Sequence, residues 1–199
     1  MDDFVFWKDW WTEKYRFQIG EGVRYPSMKI ALNLLHQRGG NIIVETGTTR
    51  AVNDFSGGGM ATIFLGDYCK KYDKNLWTVD ILPRAIELSQ FLTGEFVDNI
   101  TYVIDDSIHF LKEFKWDIDL LYLDSFDYPL DEDPIQVLAS QTHQLNELKA
   151  AEDKLTDQSI IILDDNAWKD GGKCKLTKEY LIEKGWTCLW DDYQSVWIK

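Results

Sequence analysis

Residues 41–64 read NIIVETGTTRAVNDFSGGGMATIF, and this stretch decides the fold. Three apolar residues, Ile42, Ile43 and Val44, run into an acid, Glu45, and a glycine, Gly47. A polar loop follows, then Gly57, Gly58 and Gly59, then a segment with the apolar spacing of a helix. A strand feeding a glycine-bearing turn and a helix is the opening unit of an α/β sheet. Such units often cradle phosphate at the helix N-terminus. This one lacks the Lys-Ser/Thr pair of a P-loop, and its glycines miss the G-x-G-x-x-G spacing. An acid beside the first glycine repels phosphate oxygens and suits a ligand with a positive centre and an amino group. The glycines let the backbone approach that ligand closely.

The same alternation continues on both sides. Upstream, Pro26 and Ser27 open a helix, SMKIALNLLHQRGG, which the Gly39-Gly40 pair stops. Downstream, GMATIFLGDYCKKYD reads as a helix, NLWTVDI as a strand, and LPRAIELSQFLTGEF as a helix with Pro83 in its first turn. NITYVIDD is a strand, SIHFLKEF a short helix, and IDLLYLDS a strand. VLASQTHQLNELKAAEDKL is a long helix, QSIIILDDN a strand, and LTKEYLIEKG a helix. WTCLWDD and YQSVWIK have no helix between them and should pair as an antiparallel hairpin. The expected architecture is α/β: a Rossmann-like, doubly wound, mostly parallel sheet with an antiparallel C-terminal hairpin.

The length of 199 residues suits one domain, read as an N-terminal helical extension (1–40) on a core (41–199). Residues 1–20 carry Phe4, Phe6, Trp7, Trp10, Trp11, Tyr15 and Phe17, the spacing of a short helix with a large apolar face. That helix would pack on the domain edge, cover a site as a lid, or seal a dimer. With 45% hydrophobic residues the chain is globular, and its net charge of −13 argues against nucleic acid or anionic membrane surfaces as partners. No apolar run approaches the ~20 residues of a membrane span. Cys69, Cys174 and Cys188 are widely spaced and read as reduced thiols, pointing to the cytoplasm.

In open α/β sheets the ligand binds outside the carboxyl ends of the strands. Every expected strand end here carries a carboxylate: Glu45, then Asp80, then Asp105 and Asp106 ahead of Ser107, then Asp124 with Asp127 close by, then Asp164 and Asp165 before Asn166. One acid per strand end is routine capping. So many in one crevice repel one another, and something cationic must join them. Asp80 is placed to accept hydrogen bonds from both hydroxyls of a ribose, and Asp106 and Ser107 lie where an adenine amino group would be read.

The order E-x-G, Asp80, DDS resembles the class I S-adenosylmethionine-dependent methyltransferases over residues 41–199. The resemblance implies that the first loop holds the methionine part of S-adenosylmethionine. It implies a cofactor set of Glu45, Gly47, Thr48, Gly58, Asp80, Ile81, Asp106, Ser107 and Asp124. The insertion TRAVNDFSGG lengthens that loop and leaves open which glycine touches the ligand.

LLYLDSFDY and IIILDDNAW resemble the metal-dependent O-methyltransferases of catechol, caffeoyl-coenzyme A and antibiotic sugars. That resemblance implies a divalent cation, Mg²⁺ or Mn²⁺ foremost, held by Asp124 with Asp164 and Asp165, or with Asp165 and Asn166 after a one-residue shift. The ion would lower the pKa of a substrate hydroxyl. Asp127 is placed as the general base, with His143 a second candidate base or substrate contact. His36 and His109 read as ordinary helix residues. Arg24 and Tyr25 are placed to reach across the pocket, and Trp168 to stack on a sugar ring or to fill the core. ETGTTR, LLYLDSFD, HQLNELKA, ILDDN and DDYQSVWI are similar to methyltransferase domains in the multidomain glycan-building enzymes of chloroviruses. This implies a rhamnose-type acceptor, a longer glycosyltransferase-containing chain and, for a viral protein, the host cytoplasm. The alternatives are a catechol-like small-molecule O-methyltransferase, a nucleotide-dependent oxidoreductase and a non-catalytic glycan-binding module.

Overall fold

The computed structural model describes Tyr15, residues 23–55 and residues 60–199. Seven strands form one sheet: β1 (Ile42–Thr46), β2 (Asn75–Asp80), β3 (Ile100–Ile104), β4 (Ile118–Leu123), β5 (Leu155–Leu163), β6 (Thr187–Asp191) and β7 (Ser195–Ile198). The order is β3-β2-β1-β4-β5-β7-β6. β1 to β5 are parallel, and β7 inserts antiparallel between β5 and β6, as the expected hairpin requires. The helices are α1 (Tyr25–Gln37), α2 (Ala61–Tyr72), α3 (Pro83–Leu92), α4 (Ser107–Glu113), α5 (Pro134–Ala151) and α6 (Lys175–Glu183). Among the described residues no helix is long and apolar enough to cross a membrane.

The continuous apolar runs of β4 and β5 are explained by burial on both faces. Side chains alternate across a strand. Ile160 and Ile162 therefore join Leu120 and Tyr122 in one core, with Leu32, Leu35, Phe64 and Tyr68 from α1 and α2. Ile161 and Leu163 join Leu121 and Leu123 in the other, with Leu111, Leu148 and Leu181 from α4, α5 and α6. Each such side chain contributes about 1.5–3 kcal/mol by leaving water. Helices on both faces make the sheet doubly wound. Tyr15 is buried edge-on against Phe64 and donates to Asp67, so it packs on α2. The rest of the aromatic segment read as a helix, residues 1–20, lies outside the described residues.

Several element boundaries differ from the sequence reading. Leu155 opens β5 instead of closing the long helix. The long helix begins at Pro134, three residues earlier than the apolar spacing from Val137 suggests. Asp133 caps it, accepting from the amides of Ile135 and Gln136, and Pro134 fits the first turn. Ile135 is exposed, so it falls off the apolar stripe that marked the helix. Conversely, α3 stops at Leu92, and Gly94–Asn99 form a 3-10 turn instead of continuing it.

Parallel pairing carries the register past the strand ends. The Gly47 amide donates to the Val79 carbonyl, Asp105 to Asp80, Asp124 to Thr46, and Asp164 to Leu123. The strand-end acids thereby stand along one edge of the sheet. The order reverses between β1 and β4, and a crevice opens above that point.

Candidate active site

A cavity of about 820 Å³ lies over this edge, within the usual size for a small-ligand site. Its walls come from the ends of β1, β2, β4 and β5 and from the loops that follow them.

One half is built by backbone geometry. Gly47 has a φ of +79°, and a Cβ there would lie 2.5 Å from the Asp124 carbonyl oxygen. Only glycine lets the turn after β1 pass the end of β4. The turn leads to Thr48, whose amide donates to Asp80 Oδ2 at 3.3 Å, while the Leu82 amide donates to Asp80 Oδ1 at 2.8 Å. Asp80 thus faces the cavity with its carboxylate fixed by two amides, and Ile81 and Leu82 form an exposed apolar wall beside it. Asp106 caps α4, accepting from the His109 amide at 3.0 Å, and Ser107 follows it into the cavity wall.

Glu45 differs from the reading that puts its carboxylate against the ligand. It is buried beneath the cavity and does not line it. Its Oε2 accepts from Thr62 Oγ1 at 2.8 Å and Thr78 Oγ1 at 2.6 Å. Thr62 Oγ1 in turn accepts from the Thr49 amide and lies 3.2 Å from Thr48 Oγ1, which donates to Ser89. Glu45 therefore sets the loop after β1 through a chain of hydroxyls. Burial pushes its carboxyl up to about 8, against the hydrogen bonds from Thr78 and Thr62. Gly58 lies outside the described residues.

The other half is built by ion pairs. Arg24 Nε lies 3.1 Å from Asp164 Oδ2, and both side chains are buried. Tyr122 donates to the same oxygen at 2.8 Å. The Arg24 guanidinium also stacks over the Tyr193 ring, 4.6 Å from its centroid. Lys173 Nζ lies 2.9 Å from Asp124 Oδ1 and 3.3 Å from Asp165 Oδ2, and is fully buried. Tyr193 donates to Asp165 Oδ1 at 3.0 Å. The cations that join the strand-end acids are thus side chains of the protein. Burial alone would raise Asp164, but Arg24 and Lys173 outweigh it and hold its carboxylate below the ordinary range. Burial and the neighbouring Asp164 charge push Asp124 up, against Lys173. Burial would strip the Lys173 proton, and Asp124 and Asp165 reverse that and keep it an ammonium.

These contacts do not fit the divalent-ion site expected from Asp124, Asp164, Asp165 and Asn166. An ammonium stands between two of the carboxylates, and a guanidinium and a phenol hold the third. Asn166 is directed elsewhere: its amide nitrogen donates to Asp191 Oδ1 at 2.7 Å and to the Asp192 carbonyl, and its oxygen accepts from Lys178 at 3.0 Å. Among the described residues no group of three or more His, Cys, Asp and Glu is placed to hold a metal ion.

The two candidate bases are unlike each other. Asp127 sits at the rim, 63% exposed and ion-paired with Arg50. His143 on α5 faces the cavity, with Nε2 3.1 Å from Ser107 Oγ, 3.0 Å from Ser125 Oγ and 3.6 Å from Glu147 Oε1. Burial would lower its pKa, but the hydrogen bond and charge of Glu147 raise it above the ordinary histidine value. Trp168 is neither core nor free surface. It is 38% exposed and stacked on Tyr128, with ring centroids 5.7 Å apart and planes at 14°, and both rings line the cavity. Tyr25 packs on the core instead of reaching the cavity. His36 stands edge-on to Tyr72, and exposed His109 pairs with Asp105, as ordinary helix residues do.

Lys173, Tyr193, Tyr128 and Glu147 escaped the sequence reading, which placed Ser125 only at the end of β4. The one available signal was charge: three acids at the ends of β4 and β5 require countercharges. DGGKC, a glycine pair delivering a lysine, follows the second of these strands.

The strand order, the antiparallel β7 and the crevice above β1 and β4 define the Rossmann-like methyltransferase fold. Solved structures with this fold include NovP, an O-methyltransferase, at a TM-score of 0.60 and 13% identity over 88% of this chain and 79% of that one. PaMTH1, a methyltransferase of Podospora anserina solved with SAH bound, matches at 0.60 and 13% identity over 86% and 77%. CalS11, a calicheamicin methyltransferase, matches at 0.59 and 12% over 88% and 80%. No family model and no curated protein matches the sequence. The neighbours share 12–13% of the sequence, so the likeness is one of fold.

Proposed function

We propose that the protein is an S-adenosylmethionine-dependent O-methyltransferase acting on a sugar hydroxyl, with a rhamnose-type deoxyhexose of a glycan as the acceptor. One observation carries this reading: a single cavity at the switch point joins a half suited to a nucleoside and a half that presents a histidine and a stacked aromatic pair. Two of the fold neighbours are named for O-methyl transfer or for a calicheamicin methyltransferase. The similarity of ETGTTR, HQLNELKA and DDYQSVWI to glycan-building enzymes supports the sugar.

S-adenosylmethionine, when bound, supplies a methyl group activated by a sulfonium. The residues of this chain do the rest. Asp80 holds ribose hydroxyls with a carboxylate already fixed by two amides. Asp106 and Ser107 bound the base. Asp80, Asp106 and Asp124 line the same cavity and tolerate a positive centre within it. Trp168, backed by Tyr128, offers a ring face to the apolar side of a sugar. His143 Nε2 accepts the hydroxyl proton as the new O–C bond forms and the C–S bond breaks. Glu147 orients the imidazole, and Ser107 and Ser125 flank it. Transfer in line at a methyl group is mainly a matter of positioning, which a preformed cavity supplies.

The exposed apolar rim of Phe126 and Leu130 favours a second acceptor class, a small aromatic hydroxyl. Calorimetric titration with S-adenosylmethionine tests the cofactor. A mass-spectrometric screen of rhamnosides against catechols then tests the acceptor. Micromolar cofactor binding and a 14-dalton gain on a rhamnoside are expected, roughly the mass of one methylene. Absence of cofactor binding would sink the methyltransferase reading, and a gain on catechols alone would replace the sugar.

A further inference from the structure

The acceptor half raises a question that the fold does not answer. Three carboxylates gather at the ends of β4 and β5, the arrangement that suggests a divalent ion. Yet Lys173 Nζ lies between Asp124 Oδ1 and Asp165 Oδ2, at 2.9 and 3.3 Å. Its third contact is the Ser125 carbonyl, at 3.3 Å. Its hydrogen bonds go to Asp124 and to the Ser125 carbonyl, and the Asp165 carboxylate places a second negative charge beside it.

This lysine is not a surface side chain that has swung inward. The backbone is shaped to deliver it. Asp165 is itself left-handed, with a φ of 57°. Gly172 has a φ of +56°, and a Cβ there would lie 1.9 Å from the Asp165 carbonyl oxygen. The turn closes on that carbonyl, which accepts from the Lys173 amide. Gln141 on α5 donates to the Gly172 carbonyl at 2.8 Å, and the amides of Gly171 and Gly172 both donate to the Trp168 carbonyl. Cys174 Sγ reaches the Asp164 carbonyl at 2.9 Å. The same turn thus positions Trp168 on the cavity wall and Lys173 beneath its floor.

Arg24 completes the arrangement from the opposite end of the chain. It stands at the N-cap of α1, where its Nε pairs with Asp164 Oδ2, a carboxylate outside the ion pairs of Lys173. A divalent ion added to these two cations would be repelled by both.

We propose that Lys173, assisted by Arg24, is the built-in countercation of the acceptor site, holding Asp124 and Asp165 in place at the cavity wall so that methyl transfer needs no divalent metal. The transfer clause rests on the O-methyltransferase reading above, whereas the occupancy of the site by Lys173 does not. Lys173 is a positioning residue: it touches the carboxylates and not the cavity.

The experiment uses the whole chain freed of metal with EDTA, and Mn²⁺ as the probe. Electron paramagnetic resonance reads bound Mn²⁺ with no cofactor or acceptor present. The wild type is expected to leave Mn²⁺ free. Lys173→Ala, which vacates the space between two carboxylates, is expected to gain one bound Mn²⁺. Stoichiometric Mn²⁺ on the wild type would overturn the proposal, as would a folded Lys173→Ala that still binds none. Should Lys173→Ala fail to fold, Lys173→Ser, which also vacates that space and adds only one hydroxyl, takes its place under the same criteria. In the transfer assay, EDTA is expected to leave wild-type turnover unchanged, and loss restored by Mg²⁺ would overturn the proposal. Lys173→Gln is expected to lower kcat/KM for the acceptor by about 100-fold while S-adenosylmethionine affinity, measured by calorimetry, stays within about threefold. Equal losses in both would make Lys173 merely structural. A failure of the methyltransferase reading itself would appear as absent cofactor binding, leaving the Mn²⁺ result to stand alone.

Discussion

The two halves of the cavity hold their acids by different means. At the ends of β2 and β3, Asp80 and Asp106 are held by nearby backbone amides, within a few residues or across one strand. At the ends of β4 and β5, Asp124, Asp164 and Asp165 are held by a buried lysine from the turn after β5 and a buried arginine from the start of the chain. The first arrangement is tolerant, because an amide–carboxylate contact at a half-exposed site is worth only a kcal/mol or so, roughly. The second is all-or-nothing, because losing one partner strands a buried charge.

Substitution should expose that asymmetry. The largest effect is expected from Arg24→Ala, which leaves Asp164 unpaired in the interior. It should lower stability by about 3–5 kcal/mol in denaturant titration. A loss below about 1 kcal/mol would mean that Tyr122 alone satisfies Asp164.

Glu45 gives the next effect and draws it out with pH. Its folded pKa, about 8, lies above the ordinary 4.5. The stability it lends is therefore fully present below pH 4.5 and is lost as pH rises through 8. Compared with Glu45→Gln, the wild type should lose about a few kcal/mol over that window, read as diverging melting temperatures. Parallel melting curves across the window would show Glu45 ionising without penalty.

His143→Gln should follow, with kcat down about 100-fold and cofactor affinity unchanged. Wild-type turnover should also fall as pH drops through the His143 pKa, because the base must be neutral to take a proton. Were Asp127→Asn to show the large loss and His143→Gln none, the rim carboxylate would be the base. The smallest effect belongs to the tolerant half. Asp80→Asn should weaken S-adenosylmethionine about tenfold, or ~1.4 kcal/mol, with little change in stability.

The same division governs what the sequence discloses. Apolar runs such as Ile160–Leu163 mark a strand buried on both faces, and an acid after each run marks the binding edge. Asp80 and Asp106 are readable because their partners are local. Arg24 and Asp164 are 140 positions apart, and Lys173 and Asp124 are 49 apart, so no periodicity connects them. Their pairing exists only once β4 and β5 are side by side. Glu45 was misplaced for a related reason: a strand-end acid looks the same in sequence whether it faces the ligand or the hydroxyls below. The start of α5 was misjudged because a helix can begin with a cap and a proline before its apolar stripe begins.

The cavity wall also has a consequence for how such a protein can change over generations. Gly47 and Gly172 admit no side chain, and the ion-paired acids tolerate no lone substitution. Phe126 and Leu130 line the acceptor side of the same cavity, are half or more exposed and belong to neither core, so replacing them leaves the cores intact. Variation can therefore accumulate at the rim while the floor stays fixed. A lineage, or a mutant library confined to those two positions, can explore new acceptors without first losing the fold.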